Sequence, residues 1–313
     1  MLGFLIRRIL STIPVLLIVA VLVFLLLRLT PGDPAAIIAG DAANPEQIAA
    51  IRKGLGLDRP ILAQFGIWFW SLLQGNLGES FYFKMQVTEL IAQRLEPTFA
   101  LATVTIILAV LVSLPLGVIA AWRQGGWLDR ALSAFSVLGF SIPVFVLGYI
   151  LIYIVSVKLG WLPVAGYTRI AEGFVPFIRH LILPSIALSV IYIALIARVT
   201  RAAVLESLGE DYIRTARAKG LKESRVLIWH ALANAAVPIA TVIGIGIALL
   251  IGGVVVTESV FAIPGLGRLT VDAVLARDFP TIQGVILFFS FVYVLINLIV
   301  DLSYLVFDPR IRY

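Results

Sequence analysis

The sequence predicts an all-α membrane protein with about six transmembrane helices, and three observations carry that prediction. Of the 313 residues, 61% are hydrophobic and only 13% are charged, whereas a soluble domain carries roughly 25% charged residues. Uncharged runs long enough to cross a bilayer recur along the chain. The basic residues also gather on the segments that a six-span arrangement places on one side. A water-soluble fold would need polar side chains to cover its exterior, so lipid is the solvent this composition calls for.

The uncharged runs are residues 9–27, 97–122, 131–157, 180–197, 226–257 and 279–300. The fourth is short, and its helix is expected to continue past Arg198. The fifth exceeds one span, and its membrane part is expected to start near Val237. Residues 60–78 are also uncharged, but Gln64, Gln74, Asn76 and several glycines make amphipathic structure outside the membrane the better expectation.

Six spans put both termini on one side. With that side cytoplasmic, 13 Lys and Arg lie inside and five lie in the two short outside loops. Six more fall in the long first outside segment, which translocates largely regardless of charge. Net charge is then +6 inside and 0 outside, an N-in, C-in topology. The same bias accounts for a pI near 9.7, so the basicity calls for no nucleic acid as a partner. Arg7 and Arg8 precede an apolar run of 19 residues, longer than a signal-peptide h-region, and an uncleaved signal-anchor helix is expected. With no cysteine and two histidines, neither a disulfide framework nor a zinc site is expected.

Between the first two spans, Thr30-Pro31-Gly32-Asp33-Pro34 forms a turn cluster that stops the first helix. Residues 45–57 read as a short helix ended by Gly56, and 87–95 as another running towards the second span. On the inside, the loop between spans four and five is rich in helix formers. Asp211 is a plausible N-cap and Gly220 a plausible C-terminal stop. A second helix is expected from Ser224, a further N-cap candidate, through Trp229 and Asn234 to Pro238. Composition alone leaves two readings open for this helix–glycine–helix, a docking element and a solvated positive-inside loop.

At this loop the chain resembles the inner-membrane permeases of ABC importers. Thr215-Ala216-Arg217-Ala218-Lys219-Gly220, followed by His230-Ala231-Leu232-Ala233-Asn234-Ala235 and Pro238, is similar to the cytoplasmic "EAA" loop of that superfamily. The Gly220-to-Pro238 spacing, and Thr215 or Arg217 in place of the leading Glu, resemble the dipeptide, oligopeptide and glutathione permease family. Arg7-Arg8, Pro31-Gly32-Asp33-Pro34-Ala35, Leu55-Gly56-Leu57-Asp58-Arg59-Pro60, Gly75-Asn76-Leu77-Gly78, Pro264-Gly265-Leu266-Gly267-Arg268 and Arg277-Asp278-Phe279-Pro280 are similar too. So is the tail Asp308-Pro309-Arg310-Ile311-Arg312, with Asp308 where the family usually has Asn.

The resemblance implies a type I ABC importer permease fold in the inner (plasma) membrane. It implies an N-terminal helix with an extracytoplasmic segment at 1–93, a permease core at 94–304 and a cytoplasmic tail at 305–313. It implies four kinds of neighbour: a second homologous permease, two cytoplasmic ATPase subunits, an extracytoplasmic solute-binding protein and the lipid membrane. No G-x-x-x-x-G-K-[ST] loop occurs here, so the chain is expected to be a transporter subunit without catalytic residues, metal or cofactor of its own. ATP and Mg²⁺ would belong to the partner ATPases. The residues implied for ATPase coupling are Tyr212, Arg214, Thr215, Ala216, Arg217, Ala218, Lys219, Gly220 and Leu221. Tyr212 and Leu221 would serve as apolar anchors, and the basic residues would meet acids on the partner.

For the translocation path the candidates are Ser141, Pro143 and Phe145 in span three and Glu258 near the outer end of span five. The preferred reading of Pro143 is an ordinary membrane-helix proline. Glu258 would either pair with Arg268 or face the path. His180 and His230, at membrane edges, read as structural. The alternative function is a secondary transporter or channel for a small polar solute. The former would need buried charges that these spans lack, and the latter a re-entrant filter for which 263–267 is a faint candidate. Nothing resembling a catalytic set supports a membrane enzyme.

The topology is testable because the chain is cysteine-free. Single cysteines replacing Ala50 and Gly173 should react with an impermeant thiol reagent added outside intact cells, and one replacing Ser224 should not. Outside labelling at position 224 would rule out the six-span orientation.

Overall fold

The computed structural model describes residues 2–29, 35–36, 44–54 and 56–307. The Thr30–Pro34 turn cluster and the Asp308–Arg312 tail lie outside the described residues. The regular structure is helical: α1 (Leu2–Leu29), α2 (Pro45–Gly54), α3 (Ile61–Leu73), α4 (Val87–Trp122), α5 (Trp127–Ser141), α6 (Val144–Leu151), α7 (Phe174–Leu208), α8 (Asp211–Ala218), α9 (Ala236–Val260), α10 (Leu266–Leu275) and α11 (Phe279–Phe307). Among the described residues five helices, α1, α4, α7, α9 and α11, are long and apolar enough to cross a membrane. The α5–α6 pair, with the π-helical turn Ile152–Lys158 that extends it, supplies a sixth span if counted as one.

That pair corrects the expectation for span three. Residues 131–157 do not form one helix with an ordinary proline in it. Instead α5 and α6 meet at 99°. Proline disfavours the helical region for the residue before it. Ile142 is accordingly extended (φ −89°, ψ 118°), as is Pro143 itself (φ −60°, ψ 138°). Two consecutive extended residues end one helix and restart another in a new direction, which a simple proline kink does not do.

Two other boundaries differ from expectation. Residues 87–95 are not a separate helix. They open α4, which continues through Pro97 and Pro115 for 36 residues, about 54 Å at 1.5 Å per residue. The helix expected over 45–57 is α2, ending at Gly54. It starts with a capping box in which Asn44 Oδ1 accepts from Gln47 N (2.8 Å) and Gln47 Oε1 accepts from Asn44 N (3.0 Å). The fourth span does run on past Arg198, to Leu208.

The described residues divide into two compact units. One is built on Glu96–Arg268 and the chain from Leu295. Its core joins α4, α7 and α9 through Leu101, Leu181, Leu188, Ile196, Leu250 and Val254, all at most 2% exposed. Between helices in lipid the hydrophobic effect is absent, and small residues permit the close contact that replaces it. Gly117 of α4 is one example. A Cβ there would stand 2.7 Å from Thr200 Cβ and 2.8 Å from the Ala197 carbonyl oxygen on α7. The other unit is built on Leu2–Leu95 and Leu269–Val294. In it Phe24 of α1 packs on Phe65 and Trp68 of α3, with centroids 5.1 and 5.5 Å apart. The buried Asp278 accepts from Ser80 Oγ, from Phe81 N (3.0 Å) and from Thr281 Oγ1 (2.6 Å), fixing the start of α11.

The Gly117 contact generates a stability prediction. Gly117→Val should force α4 and α7 apart and lower the thermal midpoint of the detergent-solubilised protein by several degrees, at a cost of about 1–3 kcal/mol for overpacking. An unchanged midpoint by fluorescence-detected size exclusion would show that the contact is not tight.

Candidate functional site

The loop between α7 and α9 is built from an apolar seat outward. α8 has only eight residues, too few to be stable alone. It is held by one face. Ile213 (0% exposed) and Ala216 enter a cluster with Ala121 of α4, Ala203 and Val204 of α7, Ile239 of α9, and Val226 and Ala231. Its other face, with Tyr212, Arg214, Thr215 and Arg217, is exposed, as are Ala218 and Lys219.

The ends of α8 differ in detail from expectation. Its N-cap is Glu210, not Asp211, and no side chain completes the cap. Asp211 is the first helical residue, where its charge suits the helix dipole. The C-terminus is a Schellman turn. Gly220 N donates to Arg217 O (2.9 Å) and Leu221 N to Ala216 O (3.3 Å), with Gly220 at φ +77°. A left-handed residue here favours glycine, and no neighbouring atom lies within 4 Å of where a Cβ would stand. Leu221 then packs against the same cluster as Ile213, so it anchors the loop to its own chain rather than offering a free apolar contact. The next helix starts at Glu223, capped by Lys222 rather than Ser224. It continues as the π-helical stretch Val226–Leu232, and Pro238 falls in the first turn of α9, where its missing N–H costs nothing.

A bidentate ion pair closes the turn. Arg217 Nη2 and Nε donate to Glu223 Oε1 and Oε2 at 2.6 and 3.2 Å. The guanidinium hydrogen bonds hold the Glu223 carboxyl below its ordinary pKa and the same bonds raise that of Arg217. A depressed carboxyl contributes stability above its unfolded value and loses it only as pH falls through the folded one, so the clasp stays closed at neutral pH. Arg217, expected to meet a partner's acid, is therefore already paired within the loop. Arg214 pairs with Asp211 at 2.8 Å, but both are highly exposed, and such pairs add little. Thr215 Oγ1 donates back to Asp211 O at 3.1 Å.

One structural contact was beyond the reach of the sequence. Asp129, in the first turn of α5, takes a bidentate pair from Arg201 of α7, Nε to Oδ1 and Nη2 to Oδ2 (2.7 Å). It also accepts from Gly125 N at 2.9 Å. Asp129 is 6% exposed, and removing one partner of such a pair strands a buried charge. The pair ties the α4–α5 turn to the end of α7 that delivers α8. Spacing alone does not match residue 129 with 201.

The path candidates separate. Ser141, Pro143 and Phe145 are exposed around the α5–α6 break, with Ser141 Oγ bonded to Val137 O at 2.8 Å. Glu258, in the last turn of α9, is 0% exposed. Its Oε1 accepts from Thr98 Oγ1 (2.6 Å) and its Oε2 from the backbone N–H of Arg268 (3.0 Å). Thr98 Oγ1 in turn accepts from Leu266 N at 2.8 Å. Glu258 thus meets Arg268 through its main chain, and with Thr98 it satisfies N–H groups of the first turn of α10 that have no carbonyl partner within the helix. Gly265 is glycine beside it because a Cβ there would collide with the carboxylate. His180 Nδ1 lies 2.8 Å from Pro176 O and 3.2 Å from Thr168 Oγ1.

Comparison with known proteins places this architecture. The profile of the binding-protein-dependent transport system inner membrane component matches residues 113–313, and that of the N-terminal part of such membrane components matches residues 1–102. The chain belongs to the binding-protein-dependent transport system inner membrane components. Among its relatives is a probable peptide ABC transporter permease protein of Sinorhizobium fredii, 55% identical over 99% of both chains. A putative peptide transport system permease protein of Brucella abortus is 46% identical over the whole of both. So is a glutathione transport system permease protein of Pectobacterium atrosepticum. Among solved structures, an inward-facing MetNI methionine ABC transporter chain has a TM-score of 0.59 at 21% identity, covering 70% of this chain and 96% of that one. An amino acid ABC transporter chain gives 0.53 at 17% identity, over 69% and 93%. The permease therefore has the type I ABC importer fold and is a multi-pass inner-membrane protein. As a member of this family it works with an ATPase and a substrate-binding protein.

The Gly220 turn is the point to test. Gly220→Trp should abolish substrate uptake and weaken ATPase association while the permease remains inserted. Gly220→Asn, which tolerates a positive φ, should keep the turn and the thermal stability. Normal uptake by the Trp variant would remove the loop from the mechanism.

Proposed function

We propose that this permease carries short peptides (dipeptides, oligopeptides or glutathione-like molecules) into the cell, driven by ATP hydrolysed on other subunits. The observation that supports this most is kinship along the whole chain with proteins named for peptide and glutathione transport. The same kinship weighs against the gradient-driven carrier and the channel.

In this reading two permeases, this one and a second homologous chain, form the pathway. Two ATPase subunits dock beneath them, and an extracytoplasmic binding protein delivers cargo. ATP and Mg²⁺ belong to the ATPases, and no residue of this chain is assigned a catalytic role. α8 receives the ATPase motion. Its seat supports that role, because Ile213 and Ala216 share one apolar cluster with α4, α7 and α9. A push on α8 is then passed to those helices as a rigid-body movement instead of being absorbed in a flexible loop. The Schellman turn and the Arg217–Glu223 clasp keep the element stiff. The exposed Tyr212 and Lys219 are the side chains best placed to touch the ATPase, and the α5–α6 break with Ser141, Pro143 and Phe145 is the candidate pathway lining.

Reconstitution tests the division of labour. The purified permease alone should neither hydrolyse ATP nor move peptide into liposomes. Uptake should appear only with a second permease, two ATPase subunits and the binding protein. Uptake by this chain alone, driven by a proton or sodium gradient, would overturn the proposal.

A further inference from the structure

α3 is built inside-out for a water-exposed helix. Its exposed face is Leu62, Ala63, Gly66, Ile67, Trp70 and Leu73, without one polar side chain. Leu62 is 82% exposed and Trp70 64%. Its two polar residues lie on the covered face beside Phe65, Trp68 and Leu72, and both are bonded to the chain around them. Gln64 Nε2 donates to Arg59 O (2.8 Å) and Leu57 O (3.2 Å), and Ser71 Oγ to Asn76 O (3.3 Å). A solvated surface helix shows the opposite arrangement, polar outward and apolar inward.

Three further observations select the occupant of that face. No Asp, Glu, Lys or Arg occurs from residue 60 to 78, so nothing on it is adapted to a charged partner or to water. α3 has 13 residues, about 20 Å, and cannot cross a hydrocarbon core of about 30 Å. It is attached by Phe65 and Trp68 to Phe24, near the C-terminal end of the apolar run of α1, which closes at Arg28. That is the level where hydrocarbon gives way to headgroups, and where tryptophan collects. The α1 surface beside it is apolar and open too, Leu22 being 61% exposed. We propose that α3 lies in the bilayer interface at the C-terminal end of α1, its Leu62–Ile67–Trp70–Leu73 face in contact with lipid, as a membrane-seated foot for the segment between the first two spans. The inference does not depend on the cargo.

The test is collisional accessibility by electron paramagnetic resonance. Single cysteines replace Leu62, Ile67 and Trp70 one at a time in the full-length cysteine-free permease. Each is spin-labelled and reconstituted into bilayers with its partner subunits. Two relaxation agents are compared, oxygen, which concentrates in lipid, and a water-soluble nickel chelate. The lipid contact predicts oxygen collisions exceeding nickel collisions by several-fold at all three sites, and the reverse at a control label replacing Lys53 of α2. Nickel collisions in excess at the α3 sites would place the face in water. Suppression of both agents would place it against protein. Either result overturns the proposal. The three sites report independently, so loss of one variant leaves the comparison intact.

Discussion

The packing of α7 is the interaction on which the rest of the first unit depends. Two-thirds of its apolar window is buried inside the protein (67%), against 6% for α11. Around α7 stand α4, α5, α6 and α9, and its last turns supply Ala203 and Val204 to the seat of α8. In lipid there is no solvent penalty to drive helices together, so such contact must come from shape and from hydrogen bonds. Gly117 against Thr200 provides the shape, and Arg201 on Asp129 the bonds. The helix that organises the core is also the one that reaches the cytoplasmic element.

Three carboxylates do related work at the edges of the spans. Asp129, Glu258 and Asp278 are each at most 6% exposed. Each gathers at least one donor from a segment distant in sequence: Arg201 for Asp129, Thr98 for Glu258, Ser80 and Phe81 for Asp278. A buried acid without such donors would be expensive. The acids thus fix irregular backbone where helices end, leaving the helix interiors apolar.

The spans and the helix–glycine–helix loop were legible in the sequence for a simple reason. Both are encoded locally, by runs of apolar residues and by a basic helix ending at Gly220. The family resemblance added fold and function. What escaped was set by geometry between distant residues or by competition at single positions. The starts of α8 and of the following helix, at Glu210 and Lys222, lie one and two residues before the expected caps, within the ordinary spread of helix ends. Leu221 looked like a surface anchor because sequence does not say which side of a turn faces the core. Pro143 was underestimated because the extended Ile142 before it, not the proline alone, produces the break.

The break at Ile142–Pro143 also bears on how the chain is made. Residues 131–157 are one continuous apolar stretch, long enough to be accepted by the insertion machinery as a single straight segment. In the finished fold α5 and α6 diverge, and both rest on α7, which emerges from the ribosome after them. α4, made before them, contributes Ala120 to the packing of Leu132 and Phe135, but the α7 part of their supporting surface is missing until the next span has been synthesised. For this stretch, partitioning into the bilayer and acquiring the bend are separate events in the order of biosynthesis.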